Sequence, residues 1–246
     1  MHEEPRLEEQ ILSKVAEIGL STKLDASEKI DVDVQTDLLK LILGNADSVE
    51  VAGQGLVIQK DIRVQEMELH TDSLHINPVR AIFGQVELDQ PLDATVRIVL
   101  TEQDINRALN SDYILNNIPS LELNVDGQRV KLEMQQMELL LPGTGRMVIK
   151  GKTLLHEVDN TRQFDFTASF RPRKLSQPVL LEKFNCTEGQ SVSLEFAVAL
   201  LQKLKEITHL PYLELETMAL RLEEIEVQEG SLTLQAKARV RQLPSS

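Results

Sequence analysis

The histidines and paired glycines are the residues of this chain best suited to metal or phosphate chemistry, and their spacing fits neither. His70 and His75 lie five residues apart in a strand-like stretch, so their side chains are expected on opposite faces and make a poor metal-binding pair. Gly53-Gln-Gly55 lacks the third glycine and the following helix of a phosphate-binding loop, and we interpret it as a turn. Carboxylates are abundant, but most fall at the solvent-facing phase of alternating strands. The sequence therefore predicts no catalytic residues, no metal site and no cofactor.

One basic segment stands out in an acidic chain. Arg171-Pro-Arg173-Lys174 follows a predicted strand in a protein whose formal net charge is -13. One interpretation is a solvated turn. The other is a contact for phosphate head groups, at a membrane or at the mouth of a lipid tunnel. Arg239 and Arg241 are further candidates for the same contact.

Composition narrows the class of protein. The 246 residues are 41% hydrophobic but only 3% aromatic, without tryptophan, so the interior is expected to be mostly aliphatic. The net negative charge opposes binding to nucleic acid and adhesion to anionic membranes by charge alone. The single cysteine, Cys186, excludes an intramolecular disulfide and is expected to be a small buried residue. With no run long enough to span a membrane and no leader in the first residues, we expect a cytoplasmic protein.

The elements that would carry these residues are mostly strands, and three strands share one pattern. Each reads apolar, any residue, apolar, a Glu or Gln pair, apolar, Glu, apolar; the three copies are residues 62–69, 132–139 and 220–227. The polar pair shifts the alternation by one residue, which a strand can absorb in a β-bulge that bends and twists it. We therefore predict pairing irregularities near 65–66, 135–136 and 223–224. Glu66, Gln135 and Glu223 are expected on the outer surface of the bends.

Helical periodicity is restricted to three segments, residues 6–20, 102–112 and 194–208. In the first, Leu7, Ile11, Val15 and Ile18 share one face. Each helix precedes one bulged strand, and no linker separates the three units, so we predict a single domain over residues 1–246. Many strands and few helices indicate an α+β architecture, with the helices packed on one face of an antiparallel sheet.

Three stretches resemble the LmeA-like phospholipid-binding family: Leu100-Thr-Glu-Gln-Asp-Ile-Asn-Arg-Ala108, Val49-Glu-Val-Ala-Gly-Gln-Gly-Leu56, and Ile76-Asn-Pro78 with Phe83-Gly84. The resemblance covers nearly the whole chain. It implies a fold similar to tubular lipid-binding proteins, in which a strongly curved antiparallel β-sheet wraps around helices and encloses an apolar tunnel. It also implies phospholipid binding without catalytic residues.

Our leading hypothesis is therefore a noncatalytic protein that binds, transfers or senses phospholipid or another acyl lipid, with transient membrane contact and no nucleic acid partner. The candidates for the tunnel wall are Ile105, Leu109, Leu200 and Leu204, and those for the head group are Arg171, Arg173 and Lys174. A bound lipid would be the one non-protein component. We expect the protein to be cytoplasmic, or peripheral at a membrane.

Two alternatives stay open at this point. The first is a structural or adaptor protein with a filled core, which holds a protein partner through a sheet edge or its acidic surface. The second is an enzyme, which would need a buried cluster of perturbed carboxylates or histidines. The apolar segments 39–44 and 79–84 are either tips that touch a membrane or caps over the core. The sequence does not decide the oligomeric state.

Overall fold

Antiparallel strands form most of this computed structural model, accompanied by few helices. The structure describes residues 7–21, 24–36, 40, 43–59, 61–76, 88–117, 120–157, 160–172, 180–186, 195–196, 198–200, 202–203, 213–214 and 218–241. The strands are β1 (Lys29–Gln35), β2 (Asn45–Ala46), β3 (Ser48–Gln59), β4 (Ile62–Thr71), β5 (Leu74–His75), β6 (Leu92–Thr101), β7 (Leu121–Val125), β8 (Gln128–Leu140), β9 (Met147–His156), β10 (Thr161–Arg171), β11 (Leu180–Cys186), β12 (Leu213–Glu214), β13 (Met218–Gln228) and β14 (Ser231–Val240). The helices are α1 (Leu7–Ser21), α2 (Glu102–Leu109) and α3 (Asp112–Asn117).

The helices begin close to where the sequence places them. The Thr101 hydroxyl accepts a hydrogen bond from the backbone N–H of Asp104 at 3.1 Å and donates one to its carboxylate at 2.7 Å, which caps the start of α2. The predicted helix over 102–112 ends early, at Leu109, because Ser111 donates to the carbonyl of Ala108 and caps α3 instead. Within the predicted 194–208 helix, residues 195–196, 198–200 and 202–203 are helical, and we call them the late helical residues.

The chain divides into two compact units. The first contains residues 1–100, 211–224 and 233–246, and the second contains residues 101–210 and 225–232. We describe each unit by itself, and the single domain expected over residues 1–246 stays a prediction.

The first unit is built on a seven-stranded sheet with the order β1-β3-β4-β6-β14-β13-β12. One region of its core contains Val32, Val34 and Ala46, and α1 packs there through Ala16. The Ser13 hydroxyl on the same helix accepts the backbone N–H of Val34 at 3.1 Å. A second core region consists of the buried Ala94, Ala238 and Val240, with partly buried leucines and Val96 around them.

The face that α1 buries differs from its apolar stripe. Val15 and Ile18 belong to the stripe seen in the sequence, yet they are 62% and 61% exposed. Ser13 and Ala16 contact β1 instead. Small side chains let the helix approach the sheet closely, and Val15 and Ile18 point outward.

The second unit is built on a five-stranded sheet with the order β11-β10-β9-β8-β7. Its first hairpin turns at Asp126 and Gly127, whose φ angles of 54° and 84° are those of a type I′ turn. Asp-Gly is the dipeptide that favours such a two-residue hairpin turn. Helix α2 lies on β8, where the Asn106 amide donates to the carbonyl of Leu139 and accepts its N–H, both at 2.7 Å.

The three predicted bulges have different outcomes. The pairing of β8 with β9 shifts register between Met134 and Gln136, which confirms the second. The described pairing of β3 with β4 keeps one register from Gln54↔Glu66 to Leu56↔Val64 and shifts only between Val57 and Gln59, so the first is wrong in its position. The third, at 223–224, stays a prediction.

The reason for the first error lies in the strand opposite. Gly55 was interpreted as part of a turn, but it lies inside β3, with a φ of +59°. The left-handed residue takes up the local distortion, so β4 needs no extra residue there. A Cβ on Gly55 would overlap the Glu28 side chain, lying 2.5 Å from its Cγ.

Candidate functional site

An aliphatic cluster fills the space between the late helical residues and the sheet of the second unit. Phe196 and Ala199 are buried there against four residues of the sheet: Leu123, Val130, Leu132 and Leu155. Leu200, Phe166 and Cys186 pack against this cluster and are partly buried. The members of the cluster are apolar and buried, so it is a packed core of the second unit.

The predicted tunnel residues lie in two places. Leu200 packs against the aliphatic cluster. Ile105 and Leu109 are partly buried on α2. Leu204 lies outside the described residues. The structure therefore places one of the four candidates at the cluster, and a tunnel wall formed by all four stays a prediction.

Cys186 is a partly buried member of the same surroundings. Burial raises the pKa of its thiol, which keeps it neutral and weakly nucleophilic. The expectation of a small apolar residue agrees with this position. Because it is the single cysteine of the chain, its reactivity reports on this cluster alone.

Of the predicted head-group residues, Arg171 is described, and it is engaged by a carboxylate. Its Nε donates to Glu182 at 2.9 Å, and the Nε of Arg146 donates to the other oxygen of that carboxylate at 2.7 Å. Partial burial opposes ionisation of Glu182, but the two guanidinium groups outweigh it and hold the pKa of Glu182 below its usual range. Arg173 and Lys174 lie outside the described residues. A phosphate at Arg171 would compete with Glu182.

A groove of about 590 Å³ lies on the first unit. It crosses four neighbouring strands, β4, β6, β14 and β13. Four of its side chains are basic, namely Arg221, Lys237, Arg239 and Arg241, and His70, Asp72, Asp93 and Thr95 also line it. A cationic groove is unexpected in a chain of formal net charge -13.

The contacts between these side chains place them on one face of the sheet. Glu223 accepts from Arg221 at 3.0 Å and pairs with Lys237 at 3.1 Å, and the hydrogen bond from Lys237 is the main cause that lowers the pKa of Glu223. Arg239 lies 3.9 Å from the carboxylate of Asp93. Arg221 and Lys237 therefore share the carboxylate of Glu223, whereas the ion pair of Arg239 with Asp93 is long.

His70 lies between two carboxylates at the end of β4. Its Nε2 lies 2.9 Å from Asp72 and its Nδ1 lies 3.1 Å from Glu50. The hydrogen bond with Asp72 is the main cause that raises the pKa of His70. The imidazole is therefore protonated at a higher pH than a free histidine. Metal binding at this residue was rejected from the sequence, and the described residues contain no group of three potential metal ligands.

Sequence reasoning identified only part of this groove. Arg239 and Arg241 were named as additions to Arg171, although they belong to the other compact unit. The signal for the groove is Lys237-Ala-Arg239-Val-Arg241, in which cations alternate with the buried Ala238 and Val240. Alternation alone places the three cations on one face. Arg221 and His70 come from other strands, so no local pattern joins them to this set.

Exposed apolar side chains of the first unit identify surfaces that could touch a membrane. Leu43, in one of the predicted apolar tips, is 65% exposed, while the second tip, 79–84, lies outside the described residues. Val15 and Ile18 expose the stripe of α1. Among the helices that the structure describes, none has the length and apolarity to cross a membrane.

Comparison with known proteins gives one match. Residues 5–237 match the model of a family described as LmeA-like phospholipid-binding. A search of curated proteins and a search of solved structures find no match. The matched span includes most of both compact units.

Proposed function

This chain belongs to the LmeA-like phospholipid-binding family, and from that premise we propose that it binds a phospholipid or another acyl lipid and leaves it chemically unchanged. The observation that carries the proposal is the family match over residues 5–237. The partly buried apolar side chains around the aliphatic cluster, Leu121, Val125 and Leu200 among them, support it as contacts for an acyl chain. In this proposal, Ile105, Leu109, Leu200 and Leu204 line an apolar tunnel enclosed by the curved sheet.

The energetics favour exchange of lipid in both directions. Removing one methylene from water is worth about 0.8 kcal/mol, so a chain of about 16 carbons gains roughly 12 kcal/mol. A bilayer offers the chain nearly the same environment, so the transfer from membrane to protein is close to neutral. A protein with these properties serves as a carrier or a sensor of lipid.

Loading requires contact with a membrane, and we propose that this contact is transient. The exposed Leu43, Val15 and Ile18 offer apolar side chains for it. Such shallow contact suits a peripheral protein that leaves the surface again. The basic segment Arg171, Arg173 and Lys174 remains a candidate contact for the head group.

The first experiment is native mass spectrometry of the protein purified from cells, and again after incubation with vesicles of phosphatidylethanolamine and phosphatidylglycerol. We expect a bound lipid whose mass is that of the intact molecule. A lipid recovered in hydrolysed form would indicate an enzyme instead. Protein that carries no lipid from cells and takes none from vesicles would refute the proposal and favour the adaptor alternative.

Alkylation of Cys186 tests where the acyl chain lies. We expect bound lipid to slow the reaction of this thiol with N-ethylmaleimide, because the thiol packs against the aliphatic cluster. Leu200→Asn should weaken lipid uptake, whereas the matched Leu222→Asn, at a side chain that is 52% exposed in the first unit, should not. Circular dichroism of both variants controls for folding. Equal uptake by the two variants would place the acyl chain elsewhere.

A further inference from the structure

The groove on the first unit carries more positive than negative charge. Four cations line it, against the two carboxylates of Asp72 and Asp93 among its described lining residues. Glu223, next to it, is divided between two of those cations. An acidic chain that gathers cations on one sheet face creates a local positive potential, which attracts anions.

The cations have the spacing and chemistry to hold a tetrahedral anion. Arg239 lies in β14 and Arg241 directly follows the last residue of that strand, and both side chains line the groove, so their guanidinium groups can converge on a single small ion between them. Arginine offers a planar set of donors that matches the oxygens of a phosphate in pairs. The side chain of Arg239 is 62% exposed and lies 3.9 Å from Asp93, so at Arg239 an entering phosphate competes with this long ion pair.

We propose that this groove binds a phosphate-bearing anion, held chiefly by Arg239 and Arg241 and supported by Lys237 and Arg221. The phosphate comes either from a lipid head group or from a soluble phosphate ester, since both present the same oxygens. This site is separate from the basic segment at 171–174, which belongs to the other compact unit. The inference stands without the proposed acyl-lipid function, because a soluble ester would suffice.

The test compares three double variants of the full chain. Arg239→Gln with Arg241→Gln removes the charge. Arg239→Lys with Arg241→Lys keeps the charge but loses the paired donors. Arg129→Gln with Lys131→Gln is the matched control, because these exposed cations flank the buried Val130 of the other unit as Arg239 and Arg241 flank the buried Val240.

Two kinds of ligand, soluble phosphates and lipid vesicles, separate the sources of phosphate. Titrations with glycerol phosphate and with inorganic phosphate, followed by phosphorus NMR, report on soluble anions. Flotation with vesicles of phosphatidylglycerol in phosphatidylcholine, against vesicles of phosphatidylcholine alone, reports on the anionic lipid. All experiments are repeated with increasing salt, since exposed cations bind anions less well when screened.

For the charge-removing variant we expect binding to weaken by about tenfold, the equivalent of ~1.4 kcal/mol. We expect the lysine variant to lie between it and the unmodified protein, and the control to be unchanged. A loss with soluble phosphates and with phosphatidylglycerol vesicles would identify a head-group site. A loss with soluble phosphates alone would identify a site for a free phosphate ester.

The inference is overturned if the charge-removing variant binds every ligand as the control does, or if the unmodified protein binds none. Lipid loading measured by mass spectrometry is a separate readout. A protein that loads lipid but shows no effect of Arg239 and Arg241 would refute the groove and leave the proposed function standing. If the groove binds phosphate but the protein never loads lipid, the groove proposal stands and the proposed function is refuted.

Discussion

Replacing Gly151 with alanine should destabilise the second unit by a clash that can be located atom by atom. Gly151 is buried in β9 and pairs directly with Phe166 of β10. A Cβ at this position would overlap Cε1 of the Phe166 ring, lie 2.6 Å from its Cζ and 3.0 Å from the Met134 methyl group. The glycine therefore provides the space in which the ring lies across the strand.

The ring has little room to move away. It stacks on Phe184 with centroids 5.7 Å apart, and it packs against the aliphatic cluster that contains Phe196. Inserting a methyl group into a packed core costs about 1–3 kcal/mol, while the loss of glycine from a strand returns roughly 0.5–1 kcal/mol. We expect a net loss of about 1–2 kcal/mol, which lowers Tm by roughly 2–8 °C in a chain of this size.

Urea unfolding of a double-mutant cycle measures the effect. The corners are the unmodified chain, Gly151→Ala, Phe166→Leu and the double variant. If the clash is the cause, Gly151→Ala costs about 1 kcal/mol less in the Phe166→Leu background than in the unmodified chain. An alanine that costs the same with and without the ring, or costs nothing, would refute the reasoning.

Other changes give further expected outcomes. Asn106→Ala should cost about 2–3 kcal/mol in urea unfolding, because it removes two hydrogen bonds that join α2 to the backbone of β8; an unchanged midpoint would contradict this. Gly55→Ala should lower Tm through its positive φ and the overlap with Glu28, and a variant as stable as the unmodified chain would show that β3 relaxes there freely. NMR titration should give His70 a pKa above its usual 6.5, which Asp72→Asn should bring back towards that value. Because the folded pKa is the higher one, the contribution of His70 to stability is complete below the unfolded pKa and disappears as pH rises through the folded pKa; a pKa at or below 6.5 in the unmodified chain would be the contrary result.

The described structure shows why local patterns predicted some elements well. Helix α1 and the Asp126-Gly127 turn depend on residues close in the chain, and both were found from spacing and turn chemistry. The bulge near Gln135 was found because the misplaced polar pair lies in the bulged strand itself. The similar pair at 65–66 gave the wrong position, since the distortion was taken up by Gly55 on the partner strand.

The sites were harder to predict because they are assembled from distant strands. Arg239 and Arg241 were recognised as cations of interest, but the sequence could not show that Arg221 and His70 line the same groove. The apolar stripe of α1 gave a similar difficulty. Periodicity identified which residues share a face, yet Ala16 on another face made the contact with the sheet. Periodicity does not state which side of a helix a neighbour will cover.

The β13–β14 hairpin has a consequence for how this protein can be divided. Residues 225–232, around its turn, belong to the second unit, while the strands on either side belong to the first. Gly230 bonds within the second unit, where its carbonyl accepts from Glu102 and its N–H donates to Leu141. Neither unit is therefore one uninterrupted length of chain. A single cut near residue 100 keeps the second unit whole but separates residues 1–100 of the first unit from its residues 211–224 and 233–246. On the ribosome, residues 101–210 are made before residues 225–232, so the second unit is complete only after part of the first unit, residues 211–224, has also been made.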